Sequence, residues 1–173
     1  MYKASFKYTD VAVKKLKAQS LIVNNKLSLE FQREVEALTR ISHPNLVLFM
    51  GTSVDDGHPV IVTEFCNGGT LFELLHEKKK SVPNLTYKQR KKMMLDIARG
   101  MHFMHSLEPP LMHRDLKSLN LLLAERVTGL NDHVLCKVTD FGLTRSDNDG
   151  AMKTQAGTFH WMAPEVLEDL PYS

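Results

Sequence analysis

His113-Arg114-Asp115-Leu116-Lys117-Ser118-Leu119-Asn120 is followed by Asp140-Phe141-Gly142 and then by Ala163-Pro164-Glu165. The spacing of Asp115 and Asn120 lets one loop hold a carboxylate against a hydroxyl while turning an amide oxygen toward a hard cation. Asp140, arriving on a later strand, offers that cation a second, anionic oxygen. One Asp in a loop is ordinarily a turn or a helix cap. Eight residues in this pattern, with two further motifs at sensible distances, leave that reading remote for Asp115, Asn120 and Asp140.

Working outward, Val11-Ala12-Val13-Lys14 reads as a short strand, with another candidate strand from Tyr2 to Phe6 before it and a polar Asn- and Lys-rich linker after it. Phe31, Val35, Leu38 and Ser42 recur at helical spacing, with Ser28 as N-cap and His43-Pro44 as the stop. Glu34 shares that helix face with Phe31 and Leu38, so it points inward and needs a cation; Lys14 is the natural partner. Leu46 to Gly51 and Pro59 to Phe65 read as strands joined by Asp55-Asp56-Gly57. Asn67-Gly68-Gly69 breaks the pattern, and the spacing then turns helical from Thr70 to about Glu77 and from Tyr87 to Leu107. Leu121 to Ala124 and Val134 to Val138 read as strands flanking turn residues Thr128-Gly129 and Asn131-Asp132. Nothing after Gly142 is periodic.

The 173 residues are 43% hydrophobic and carry a net charge of +2, an ordinary composition for one compact core or two small ones. The basic run Lys78-Lys79-Lys80 reads as a solvated loop and not as a nucleic-acid or lipid patch. Cys66 and Cys136 lack metal-ligand spacing, and no signal peptide or long apolar span is evident, so a reducing cytoplasmic setting is the expectation. His102 and His105 lie one turn apart without a third ligand, which favours a structural role over zinc. Met93, Met94, Met101 and Met104 read as core filler.

Taken together, the three motifs in this order resemble the eukaryotic protein kinase family. The resemblance implies an α+β, bilobal fold, present in part: a small β-rich lobe with one helix over residues 1–66, lacking the Gly-rich loop, and a mostly helical large lobe over 67–173, through the Ala-Pro-Glu motif. It implies ATP and Mg²⁺ as cofactors and a protein substrate bearing Ser or Thr. Lys14 would contact the nucleotide's phosphates and pair with Glu34; Asp115 would be the catalytic base, and Lys117 would neutralise charge on the moving phosphoryl group. Asn120 and Asp140 would hold the metal. Thr63 would control access behind the adenine, and the backbone at Glu64 and Cys66 would hydrogen-bond the base; Cys66 is either a small buried residue or a reactive thiol. His113 and Phe141 would pack with Leu38 and Phe49 in an apolar spine. Thr154 or Ser146 would accept phosphate from an upstream kinase, to pair with Arg114.

Lys117-Ser118-Leu119, together with Gly157-Thr158 before Trp161, is similar to the tyrosine-kinase-like group that includes Raf-type and mixed-lineage Ser/Thr kinases, and Thr158 would there bridge Lys117 and Asp115. A tyrosine or dual-specificity kinase and a non-catalytic kinase-like binding module remain as alternatives. No Gly-x-Gly-x-x-Gly precedes Val11, and Ser173 falls just after the Ala-Pro-Glu helix. The resemblance therefore covers the middle of a domain, and the expectation is a weakly active or inactive, poorly soluble polypeptide when isolated.

Overall fold

Strand alternation decides which face of the first sheet meets the core. In the computed structural model, which describes residues 1–15, 22–23, 26–27, 29–56, 58–76, 85–141, 144–146, 157–168 and 170, β1 (Tyr2–Phe6), β2 (Thr9–Lys15), β5 (Phe49–Asp55) and β6 (His58–Glu64) form an antiparallel sheet in the order β1-β2-β6-β5. Val11 and Val13 of β2 bury with Val60 of β6 on one face. The period of two sends Lys14 to the other face, in register with Ile61, and Ala12 there pairs with Thr63. A two-residue ladder, β3 (Ile22–Val23) with β4 (Lys26–Leu27), lies within the stretch expected to be linker.

Helix α1 (Leu29–Arg40) buries Phe31, Ala37 and Leu38. It ends before Ser42, which the spacing had included, and Ile41 closes the last turn with a hydrogen bond from its N–H to Leu38 O at 3.4 Å. The expected cap Ser28 lies outside the described residues, as do Gly57, Glu77 and Lys78 to Lys80. The strand expected from Leu46 begins only at Phe49, because Leu46 and Val47 pair elsewhere. Leu46 bridges Val138 in parallel, with Val138 N donating to Asn45 O and Val47 N to Val138 O, each at 2.9 Å.

Two helices follow, α2 (Leu71–His76) and the long α3 (Tyr87–His105). Thr86 opens α3 with a reciprocal capping box: its hydroxyl accepts from Gln89 N and its N–H donates to Gln89 Oε1. Gln89, Met93, Asp96, Gly100 and Met104 are its buried stripe. Met94 is 59% exposed, contrary to its expected place in the core. Adjacent helical residues point about 100° apart, so Met93 and Met94 cannot both face inward. The ladder of β8 (Leu121–Leu123) with β9 (Cys136–Val138) packs on α3.

Four further short elements escape periodicity. β7 (Leu111–Met112) pairs antiparallel with β10 (Arg145–Ser146), and α4 (Pro164–Leu167) follows a single 3-10 turn at Phe159–Trp161. Segments this short have no room for a repeat. Among the described residues no helix is long and apolar enough to cross a membrane.

Gly100 is where α3 meets the segment before Leu46. A Cβ there would lie 2.9 Å from Asn45 O and 3.0 Å from Leu46 Cδ2. Alanine would gain about 1 kcal/mol in helix propensity, but overpacking against a backbone carbonyl costs roughly 1–3 kcal/mol. Gly100→Ala is expected to destabilise, read as a lower denaturant midpoint at unchanged slope; a raised midpoint would show that the two segments separate freely.

Candidate active site

Burial of Asp115 organises the loop that carries it. The residue is 8% exposed, and a carboxylate so placed needs donors. Lys117 Nζ reaches Oδ2 at 2.6 Å, Asn120 Nδ2 reaches Oδ2 at 3.0 Å, and the Thr158 hydroxyl donates to Oδ1 at 2.7 Å. Lys117 also donates to Thr158 Oγ1 at 2.5 Å, so the threonine bridges Asp115 and Lys117, the arrangement the resemblance implied. Burial by itself would raise the Asp115 pKa; the hydrogen bonds from Lys117, Thr158 and Asn120, with the lysine's charge, outweigh it and hold the carboxyl below its ordinary value. The group is therefore an anion with a hydrogen-bonded shell.

The neighbouring ring fixes the loop's backbone. His113 is buried, and its Nδ1 accepts from Asp115 N at 3.3 Å, which leaves Nε2–H to donate to Thr139 O at 2.9 Å. Burial lowers its pKa and keeps it neutral. Its ring meets Phe141 edge-on at 5.7 Å, and Phe141 shares an apolar cluster with Leu38 and Phe49, the grouping expected of the spine. Arg114 and Asp140 both adopt left-handed φ values, +63° and +65°. Non-glycine residues held there cost on the order of 1–3 kcal/mol each, and such strain clusters at functional sites. Gly157, at φ +118°, lets its chain lie so close to Arg114 O that a Cβ would overlap it, and this approach delivers Thr158 to Asp115.

A second cluster forms around Lys14. Its Nζ lies 2.7 Å from Glu34 Oε1 and 3.2 Å from Asp140 Oδ1. Desolvation works to lower the Lys14 pKa, yet the two carboxylates outweigh it and raise the value, so the ammonium is retained. Lys14, Glu34, Leu38, Thr63, Asp140 and Phe141 line one cleft between sheet, helix α1 and β9. The structure thus brings Lys14, Glu34, Thr63 and Asp140 together.

Glu64 and Cys66, which follow Thr63 in the chain, are not among the residues lining this cleft and have different surroundings. The Glu64 carboxylate turns back to accept from Leu48 N and from Lys137 Nζ, both at 2.7 Å. Lys137 has no place in any of the sequence motifs, and its alternation within β9 was the available signal. Cys66 is buried, and that burial, followed by the charge on Glu64, pushes its thiol up to about 11. Both the burial and the raised pKa favour the small buried residue over the reactive thiol. The chain has two free cysteines, both buried. Among the described residues no group of three or more His, Cys, Asp and Glu side chains could hold a metal ion. Thr154 lies outside the described residues, and of Ser146 the backbone alone is described, in β10.

Comparison with known proteins agrees with this geometry. The model of the protein kinase domain family matches residues 2–173. A probable serine/threonine-protein kinase of Dictyostelium discoideum is 42% identical over 97% of this chain and 16% of its own length. Serine/threonine-protein kinase CTR1 of Arabidopsis thaliana is 42% identical over 99% of the chain and 20% of its own length, and STY46 of the same organism is 37% identical over 99% and 28%. The chain therefore spans well under a third of these relatives. It belongs to the protein kinase domain family, with the α+β architecture that the motifs implied.

The Asp115 shell gives a pH prediction. A carboxyl whose pKa falls on folding contributes stability above its unfolded value, near 3.9, and loses that contribution as pH drops through the lower folded value. Thr158→Val removes one donor, so the folded pKa should rise toward the unfolded one. Carboxyl-carbon NMR titration should show the Asp115 midpoint moving up, with a smaller stability gain between acid and neutral pH. An unmoved midpoint would remove Thr158 from the shell.

Proposed function

We propose that this member of the protein kinase family transfers the γ-phosphoryl group of ATP, with Mg²⁺, to Ser and Thr hydroxyls of protein substrates, as a kinase of the tyrosine-kinase-like group. The observation that carries this reading is the Asp115 carboxylate held ionised by Lys117, Asn120 and Thr158 beside the Lys14–Glu34–Asp140 cluster. The Ser/Thr direction is supported by Lys117-Ser118-Leu119 and by the names of the relatives, each a serine/threonine-protein kinase.

The donor set fits a hard cation. Asn120 commits its amide nitrogen to Asp115, at 2.9 Å to the carbonyl and 3.0 Å to Oδ2, so its amide oxygen is the end left for a metal. Asp140 is 47% exposed at its side chain and turns one oxygen to Lys14. Magnesium bound there supplies neutralisation of phosphate charge. Lys14, oriented by Glu34, contributes fixed positive charge to phosphate oxygens; Thr63 lines the same cleft and would control access behind an adenine, and the backbone of Glu64 and Cys66, next in the chain, would hydrogen-bond the base. Asp115 accepts the proton of the incoming hydroxyl, and Lys117 offsets charge on the moving group. Thr158 holds that carboxylate and ammonium at a fixed separation.

Regulation is read from Ser146, in β10, and Thr154, beyond it. Phosphate placed by an upstream kinase on either would pair with Arg114, next to Asp115. The two free thiols suit a reducing cytoplasm.

Asp115→Asn should lower phosphoryl transfer to a Ser/Thr peptide on the order of a hundredfold or more while MgATP still raises the melting temperature. Asp140→Asn should lose that MgATP-dependent shift. The reading fails if the parent chain binds MgATP without transferring phosphate, the behaviour of a non-catalytic binding module, or if both variants lose nucleotide equally. Phosphopeptide mapping of active protein tests the regulatory part, which fails if neither Thr154 nor Ser146 is occupied.

A further inference from the structure

The start of α3 places charge where helix physics disfavours it. Lys88, Arg90, Lys91 and Lys92 fall within its opening turns, and its first turn has no acidic residue. The N-terminal end of a helix carries partial positive charge, and cations three or four residues apart repel. Lys92 is compensated internally, with both Asp96 carboxylate oxygens 2.6 Å from its Nζ. Among the described residues Lys88 and Lys91 have no carboxylate within ion-pair reach.

These lysines rim a groove. Lys88, Lys91, Lys92 and Leu95 recur at helical spacing along one edge of α3, and the opposite wall is the loop between β8 and β9, with Leu130 and His133. The recess encloses about 430 Å³. Leu95 and Leu130 are 44% and 57% exposed there, so its apolar floor is open to solvent. The loop wall is tied to α3: Gln89 Nε2 donates to Gly129 O at 2.9 Å and to Asp132 O at 3.3 Å. The Asp132 carboxylate on that wall accepts from Thr128 N, Thr128 Oγ1 and Gly129 N and forms no ion pair with the rim lysines, which outnumber it three to one in the lining. A preformed groove with exposed leucines under uncompensated ammonium groups is the complement of a peptide, since binding to it costs little ordering.

We propose that this groove docks a short acidic-apolar segment of a partner protein, seating a leucine-sized side chain against Leu95 and Leu130 and presenting Asp or Glu to Lys88 and Lys91. The recessed apolar floor favours such a segment over a lipid surface or a nucleic-acid backbone, which would engage a flatter and more strongly cationic face. None of these residues belongs to the cleft around Lys14 and Asp115, so docking there leaves phosphoryl-transfer groups untouched.

The test uses the whole chain as bait for a displayed library of random dodecapeptides, with hits synthesised and titrated by fluorescence anisotropy. Enriched peptides should combine acidic and large apolar residues and weaken steeply with salt. The double variant Lys88→Glu/Lys91→Glu should bind them about tenfold or more weakly, and Leu130→Asp should weaken them independently. Both variants change exposed side chains, and melting curves like the parent's will show that the fold persists. No enrichment, hits without acidic residues, or undiminished binding by the charge-reversed chain would overturn the proposal. So would lysine-dependent binding to phosphatidylserine-rich vesicles without peptide binding, which would assign the surface to lipid.

Discussion

The backbone of β9 is the constraint on which the rest of the site depends. One edge of this strand pairs with β8, in the register Leu121 to Val138, and the other takes hydrogen bonds from Asn45 to Val47, the segment leading out of helix α1. Buried Asn45 adds a bond from its amide nitrogen to Cys136 O at 3.1 Å, and Asp96 of α3 accepts from Cys136 N at 3.1 Å. The strand is thereby fixed to the small sheet's helix, to the long helix and to its own hairpin at once. Directly beyond it, Thr139 N donates to Asn120 O while Thr139 O accepts from His113. Asp140 therefore emerges at a position set by four separate elements. Its left-handed backbone can persist because the surroundings over-determine it.

With Asp140 so placed, the charges around it follow a common logic. Each inward carboxylate meets an ammonium group that has lost part of its own hydration, Glu34 with Lys14, Asp115 with Lys117, Asp96 with Lys92 and Glu64 with Lys137. Breaking one such pair leaves the remaining ion uncompensated, which costs far more than the pair contributes to stability. The pairs are better understood as positioning devices. Lys14 ties β2 to α1 and to the residue after β9, and Glu64 with Lys137 ties the end of β6 to β9. Anionic Asp115 with neutral His113 follows from the same arrangement, because donors surround the carboxyl while apolar neighbours surround the ring.

Elements whose signal is local were legible in the sequence. β1, β2, β6, α2, α3 and the β8–β9 pair fall within a few residues of where alternation and helical spacing put them, as does α1 apart from its last residues. Failures occur where a long-range contact competes with local pattern. Leu46 and Val47 look like the start of β5 but belong to β9's edge, and β7 with β10 is two residues long on each side. Met94 was misplaced because composition groups methionines that helical geometry separates. In the site, Lys14, Glu34, Asp115, Lys117 and Thr158 could be paired from motifs alone. The Lys14–Asp140 contact and the role of Lys137 could not, since each joins segments far apart in sequence with no motif between them.

The same comparison separates the two charged regions of the molecule. Around Asp115 and Asp140 every inward lysine meets a carboxylate within the chain, and the carboxylates outnumber the lysines by one. At the start of α3 the compensation stops at Lys92, although Lys88, one turn before it, and the adjacent Lys91 stand on the same helix edge. Capping there is complete, because Thr86 and Gln89 satisfy one another's backbone donors, and it supplies no negative charge. A helix start that is satisfied in hydrogen bonds but not in charge, beside exposed leucines and a loop tied to the helix, gains stability from an external carboxylate. Residual electrostatic demand, and not the count of basic residues, distinguishes this edge from an ordinary solvated lysine face.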